Sequence, residues 1–284
     1  MQTSGTLFVV ATPIGNLEDI TLRALRVLRE VALIAAEDTR RTAHLLARHG
    51  IATPMTSLHE HNEARKAPSL VDRLRAGDSI AVVSDAGTPT ISDPGSRLID
   101  AALAAGIRVE PIPGPSAVMA ALAASGMPTE TFSFLGFPPT RSKARSDWFV
   151  RLRQLRGTVV FFEAPHRIER TLADLMEAVG DCEILIGREL TKTHETLVKQ
   201  PISLVLHDGL RAQGEFTVVA YIGHTTEKTA AEPPESASLF REFCEMTNNT
   251  QVERRTVIRQ LAKRYGLTPN AVYKAIEEGR KSVD

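Results

Sequence analysis

The sequence predicts an α/β protein: two α/β domains followed by a small helical module with a helix-turn-helix pattern. Three observations predict it. Short, continuous, β-branched runs alternate with helical stretches, the rhythm of strands buried on both faces and of the helices that cover them. Two consecutive strands end in loops built from Gly and Pro. Beyond residue 223 the composition turns polar, and the last 46 residues, 239–284, read as helical and basic.

Thr6–Ala11 (TLFVVA) reads as the first strand and Thr12–Leu17 as the turn after it. Thr21 is placed to cap a helix over Leu22–Glu30. The turn holds one glycine, Gly15, and not the G-x-G-x-x-G of a dinucleotide-binding fold. Leu33–Ala36 is a second strand, ending in Glu37, Asp38, Thr39, Arg40 and Arg41 ahead of a helix over Thr42–His49. Either Asp38 or Thr39 caps that helix with the arginines in solvent, or these groups form the rim of a pocket. Met55–Glu63 (MTSLHEHNE) carries two histidines and two glutamates without H-E-x-x-H spacing. It reads as a polar loop at the mouth of a cleft rather than a metal site. A helix over Pro68–Arg75 stops at Gly77.

Ile80–Val83 leads into SDAGTPTISDPG (Ser84–Gly95) and then a helix over Ser96–Ala105. Val109–Ile112 leads into Pro113–Ala117 and an Ala-rich helix over Ala117–Ser125, stopped by Gly126 and Pro128. Ligands of open α/β sheets bind at the carboxyl ends of the strands, so two such loops side by side could wall one pocket. Ordinary strand-to-helix turns share the same composition, and that reading stays open here. The first domain is placed at residues 1–128 and the second at 129–223.

The second domain opens with a strand at Phe132–Phe137, broken by Pro138-Pro139. Thr140–Arg156 is basic, with Arg141, Lys143, Arg145, Arg151, Arg153 and Arg156 against Asp147. It is either a solvated face or a patch for phosphates. Thr158–Glu163, Glu183–Arg188 and Phe216–Ile222 read as strands, with a helix over Ile168–Val179. Residues 224–238 read as a linker, and 239–284 as the helical module. In that module Val257–Lys263 and Thr268–Glu278 flank a turn containing Gly266, with Thr268 as N-cap and Pro269 as the first helical residue. Arg254, Arg255, Arg259, Lys263, Arg264, Lys274, Arg280 and Lys281 suit nucleic acid; packing or dimerisation is the other use of such a module.

Lys plus Arg and Asp plus Glu number 34 each, so formal net charge is zero. A protein that coats polyanions with its whole surface is excluded, and nucleic acid would need a local patch. Cys182 and Cys244 are the only cysteines, which argues against a disulfide scaffold or a zinc site and suits a reducing compartment. No signal-like leader and no run approaching ~18 apolar residues is present, so a cytoplasmic protein without a membrane partner is expected.

Several motifs carry a resemblance: VATPIGNLEDITLRAL (Val10–Leu25), AAEDTR (Ala35–Arg40), LHEHNE (Leu58–Glu63), VSDAGTPTISDPG (Val83–Gly95) and PIPGPSA (Pro111–Ala117). FFEAPHR (Phe161–Arg167), RELTKTHE (Arg188–Glu195), GEF (Gly214–Phe216) and LAKRYGLTPNAVYKA (Leu261–Ala275) continue it. In order and over nearly the whole chain they resemble the tetrapyrrole-methylase superfamily. Within it they are most similar to the ribosomal RNA small subunit methyltransferase I family. Thr90 and Ala164 stand where a bulkier apolar residue and a serine are frequent.

The resemblance implies a two-domain tetrapyrrole-methylase-like fold, a homodimer, and S-adenosylmethionine as cofactor in the cleft between the domains. It implies 2'-O-methylation of a cytidine ribose in the decoding region of 16S rRNA, in the small ribosomal subunit. Carried onto this chain, the cofactor is expected along Pro13, Asp85, Gly87, Thr88, Ile91, Ser116 and Ala117, with Phe162 and the neighbourhoods of Leu190 and Ala220. Charge clustering at strand ends offers Glu37 and Asp38 as proton acceptors, with Arg40 or Lys192 steering phosphate or a developing oxyanion. No metal is required by this scheme. Two rivals share parts of the pattern: a tetrapyrrole (precorrin-type) methyltransferase, and a non-catalytic nucleic-acid-binding regulator. The basic helix and the terminal module argue against the first.

Overall fold

The computed structural model describes residues 4–222, 236–249, 254–265 and 268–281. Residues 1–223 form one unit and 224–284 another. In the first unit the leading sheet is built from β1 (Thr6–Val10), β2 (Leu33–Ala36), β3 (Met55–Ser57), β4 (Ile80–Val83) and β5 (Arg108–Ile112). Its order is β3-β2-β4-β1-β5, with every pair parallel. Helices α1 (Leu22–Glu30), α2 (Thr39–Arg48), α3 (Glu63–Arg75) and α4 (Ser96–Ala104) cover it.

The continuous apolar runs follow from burial on both faces. Ile80 and Val82 pack with α3 and α4 residues such as Leu70, Leu74 and Leu98. Ala81 and Val83 pack on the other face with Val27, Leu28 and Leu45 of α1 and α2. The chain leaving β4 therefore goes to one face, and the chains leaving its neighbours β1 and β2 go to the other. That divergence opens a crevice at the carboxyl ends of the strands.

The second sheet holds β6 (Phe132–Phe134), β7 (Gly157–Glu163), β8 (Glu183–Arg188), β9 (Thr196–Pro201) and β10 (Phe216–Ile222) in the order β6-β7-β10-β8-β9. β6 runs parallel to β7 and the other pairs are antiparallel. One face packs against α6 (Ser142–Gln154), α7 (Ile168–Val179) and α8 (Ile202–Asp208) around Trp148, Phe161, Leu172 and Val205. The other receives α5 (Ala117–Ser125), whose Val118, Ala121 and Leu122 meet Val160, Leu185 and Val219. The helix that follows the last strand of the first sheet is thus part of the second sheet's core.

Several elements differ from the sequence reading. β3 forms within MTSLHEHNE because Met55–Ser57 pairs with Ile34–Ala36, and Lys66 ties it down through Thr56 Oγ1 at 2.9 Å and the Ser57 carbonyl at 2.7 Å. α3 starts at Glu63, with Pro68 inside it; a proline there loses one helical hydrogen bond, which the buried face of Ala67, Leu70, Val71 and Leu74 offsets. β9 and α8 carry no clear sequence signal, since TLVKQP has no apolar alternation and only pairing with β8 holds it extended.

In the second unit, α9 (Ser236–Asn249), α10 (Arg254–Tyr265) and α11 (Pro269–Lys281) share a core of Leu239, Phe243, Val257, Leu261, Val272 and Ile276. Thr268 caps α11, its Oγ1 accepting from the Ala271 N–H at 3.2 Å. α9 begins at Ser236, inside the stretch read as linker, and residues 224–235 of that stretch lie outside the described ones. No described helix is long and apolar enough to cross a membrane.

Candidate functional site

A cavity of about 340 Å³ lies between the carboxyl ends of the first sheet and the α5 face of the second. Three loops build its floor. The turn after β1 and the loop after β4 are zipped together: the Thr12 N–H donates to the Gly87 carbonyl at 2.8 Å and the Gly87 N–H to the Thr12 carbonyl at 2.9 Å. Gly87 has φ +80°, a left-handed conformation that favours glycine. The Thr88 hydroxyl then reaches the Pro115 carbonyl at 3.3 Å, joining the loop after β5. Gly114 lets that loop lie against β1, because a Cβ there would stand 3.0 Å from the Ala11 Cβ.

Ser116 and Ala117, at the N-terminus of α5, open into the cavity. Unpaired N–H groups and the helix dipole make that end attractive to an anionic group. Ile14, Ile91, Phe137, Phe162 and Leu190 give apolar walls. The titratable lining groups are Asp93, Glu163 and Glu215, and no lysine or arginine is among the described lining residues. A zwitterionic ligand with an additional positive centre fits that pattern: its carboxylate meets the helix end, and its cationic centre meets an acidic wall. Four non-glycine residues with positive φ, Thr90, Ser92, Glu189 and Thr191, sit in the two loops flanking this space. Such backbone strain collects at functional sites.

Behind the β4 loop is a carboxylate network. Asp85 Oδ1 accepts from the Asp38 N–H at 3.0 Å, and the Asp85 N–H donates to Glu37 Oε2 at 3.1 Å. Arg41 lies 3.5 Å from Asp85 Oδ2. Burial, reinforced by Glu37 and Asp85, pushes the Asp93 carboxyl up to about 6, against a hydrogen bond from Ser84. Glu163 is fully buried but committed, accepting from the Ala164 N–H at 2.7 Å and the Thr171 hydroxyl at 2.5 Å and pairing with Arg167 at 3.3 Å.

Of the expected cofactor residues, Gly87, Thr88, Ile91, Ser116, Ala117, Phe162 and Leu190 line the cavity. Pro13 and Asp85 line a separate recess of about 70 Å³ with Thr12 and Arg41. Ala220 does not line the cavity: its side chain is fully buried with Phe161 and Val218 on the opposite side of the sheet, and Phe216 and Thr217 are the β10 residues that line the space.

The expected catalytic groups are dispersed. Asp38 caps α2, accepting from the Arg40 N–H at 2.9 Å, and pairs with the Arg40 guanidinium at 2.7 Å. That guanidinium holds its carboxyl well below the ordinary range, which makes it a poor proton acceptor. Arg40 itself points into solvent. Lys192 lies in a different, open cleft with Asn16, Arg48 and His49. Burial works against its charge, but hydrogen bonds to Glu189 at 2.9 Å and Glu215 at 3.0 Å prevail and raise its pKa. Asp93 and Phe137 line the cavity without being among the sequence-derived candidates, although both stand inside or beside the motifs; the Asp in SDPG is the signal that could have found the first. Arg145 of the basic stretch is buried, bonded to Asp174 at 2.8 Å and Thr171 at 2.9 Å, so it is no phosphate ligand. Arg141, Lys143, Arg151, Arg153 and Arg156 are exposed.

Comparison with known proteins agrees with this arrangement. Residues 6–205 match the family model of Tetrapyrrole (Corrin/Porphyrin) Methylases. Diphthine synthase superposes with a TM-score of 0.61 at 16% identity, covering 76% of this chain and 90% of that one. A uroporphyrin-III C-methyltransferase from Thermus thermophilus, complexed with S-adenosylhomocysteine, gives 0.55 at 17%, covering 76% and 97%. These show a shared fold. Much nearer in sequence is the ribosomal RNA small subunit methyltransferase I of Vibrio cholerae, 44% identical over 273 residues, or 94% of this chain and 93% of that one. The protein of that name from Thermotoga maritima is 45% identical over 217 residues, which span 76% of this chain and 97% of its own length. Kinship at that level over nearly the full length, on a tetrapyrrole-methylase fold, means that the chain belongs to the ribosomal RNA small subunit methyltransferase I family.

Proposed function

We propose that this protein transfers a methyl group from S-adenosylmethionine to small-subunit ribosomal RNA, the acceptor being the 2'-hydroxyl of a cytidine in the decoding region. The observation that carries the reading is the match at 44% identity along nearly the whole chain to a protein named for that reaction class. The cavity supports it. Its volume of about 340 Å³ suits a cofactor of this size, its α5 end suits a carboxylate, and its acidic wall suits a sulfonium. The cofactor supplies an electrophilic methyl carbon.

The chain's own residues bind and align. Ser116 and Ala117 hold the anionic end, Phe162, Ile91 and Leu190 enclose the apolar part, and the Gly87–Thr88 segment presents backbone groups to the polar part. Fixing acceptor and donor in line supplies several kcal/mol of the rate enhancement. The exposed arginines of α6 and the exposed Arg241, Arg254, Lys274 and Arg280 of the terminal module supply phosphate contacts that a neutral protein otherwise lacks. The active form is a homodimer in the cytoplasm.

The test is incubation of the purified protein with methyl-labelled S-adenosylmethionine and small ribosomal subunits lacking the modification, followed by nuclease mapping. Label on one cytidine ribose is the expected outcome. Cofactor binding without label on subunits or on naked RNA would overturn the reading in favour of a small-molecule acceptor.

A further inference from the structure

We propose that the Asp93 carboxylate takes the proton of the hydroxyl that is methylated, an inference that rests on the methyl-transfer reading above. Asp93 is the lining carboxylate without an ion pair among the described residues. It sits half-buried on the loop after β4 and shares the cavity wall with Gly87, Thr88 and Ile91. The neighbouring groups all have other partners. Glu37, at the end of β2, accepts from the Asp85 N–H; Asp85, at the end of β4, accepts from the Asp38 N–H and faces Arg41. Across the cavity, Glu163 on β7 is held by Arg167 and Thr171, and Glu215 before β10 is paired with Lys192. Asp93 has a hydrogen bond from Ser84 and no ion pair among the described residues.

Position and environment agree. Ser92, with φ 70°, and Thr90, with φ 72°, hold the loop in a shape that most residues avoid. The segment after β6 lies over it, since a Cβ at Gly136 would stand 3.5 Å from the Ser92 hydroxyl. Burial and two like charges raise Asp93 to about 6, so at neutral pH it is ionised yet far more basic than an exposed aspartate. In the step, the acceptor O–H bond breaks and its proton passes to Asp93. The oxygen's electron pair forms the bond to the methyl carbon, the C–S pair stays on sulfur, and Asp93 then releases its proton to water.

The test uses the full chain with Asp93→Asn and Asp93→Glu. Three quantities are read: cofactor Kd by calorimetry, single-turnover methylation of small subunits across pH, and the aspartate carboxyl titration by carbon NMR without cofactor. We expect a carboxyl absent from the Asn variant to titrate near 6 in the wild type. Kd should stay within about threefold, and the rate should fall about 100-fold or more in Asn, with Glu recovering at least tenfold of it. The wild-type rate should rise through the same pH, and the residual Asn rate should not. An Asn variant within about threefold of wild type overturns the inference, as does a parallel loss of cofactor affinity, which would make Asp93 a binding group. A wild type that binds cofactor and labels no RNA overturns the functional reading and this inference with it.

Discussion

Glu63 shows what a single buried carboxylate does for this site. α4 begins after Gly95, which has no side chain to cap it, and Glu63 reaches across from α3 instead. Its Oε1 accepts from the Arg97 N–H at 2.7 Å and the Leu98 N–H at 3.1 Å, which anchors the far end of the β4 loop. Glu63→Ala leaves a buried donor on Leu98 and a part-buried one on Arg97 unpaired and should cost about 2 kcal/mol in urea unfolding with an unchanged m-value. Asp93 lies on the same loop with the opposite sign. Its pKa is raised in the folded state to about 6, from 3.8. Between those values the native state holds the extra proton, so stability falls as pH rises from about 4 to about 6 and stays lower above. Asp93 is only half-buried and water screens part of the effect, so Asp93→Asn should stabilise the fold by about 1 kcal/mol at pH 7.5. The gain should shrink as pH drops towards 4; thermal unfolding at several pH values reads it. A substitution that stabilises the protein while slowing methyl transfer about 100-fold is what a strained, charge-loaded active site predicts.

Elements are legible in the sequence where burial makes them so. β1, β2 and β4 are covered on both faces, and their unbroken apolar runs can be read without a structure. β9 and β3 cannot, because each is an edge strand held extended by pairing on one side alone, β9 to β8 and β3 to β2, and neither carries an apolar alternation of its own. The loops divide in the same way. Gly and Pro punctuation locates the cavity, but the resemblance puts the β10 contribution in the neighbourhood of Ala220 where the structure has Phe216 and Thr217. Glycine choice also carries tertiary information. A Cβ on Gly15 would fall 2.4 Å from the Lys192 Cγ and 2.8 Å from the Leu190 carbonyl oxygen. Gly15→Ala must therefore push the segment between β8 and β9, which contributes Leu190 to the cavity. Cofactor affinity should drop about tenfold or more in calorimetry, at a stability cost of about 1–3 kcal/mol. On α6, charge pattern alone cannot separate Arg145 from its neighbours. Arg145→Met strands Asp174 and should destabilise by about 2 kcal/mol without changing RNA affinity. Exposed Arg153→Ala should leave stability within about 0.5 kcal/mol and reduce the salt slope of RNA binding by about 1.

At the scale of the whole molecule, the two units have separate cores, and every residue lining the cavity belongs to the first. The Thermotoga maritima relative shows the same economy: a 217-residue match fills 97% of its length, so a protein of this family exists without a stretch as long as the terminal module. Net charge explains why this chain would keep one. With 34 basic and 34 acidic residues the molecule has no long-range attraction for RNA, and affinity must come from patches. The terminal module presents Arg241, Arg254, Lys274 and Arg280 to solvent together with Tyr273, a combination suited to phosphates and an unpaired base. A chain ending at residue 223 should therefore fold, bind S-adenosylmethionine with Kd unchanged within about twofold, and bind small-subunit RNA at least tenfold more weakly at about 0.15 M salt. The deficit should narrow as salt rises, because the lost contacts are those that counterions compete for. Equal loss of cofactor and RNA affinity would make the module a structural support for the cavity, and no loss of either would leave recognition to α6.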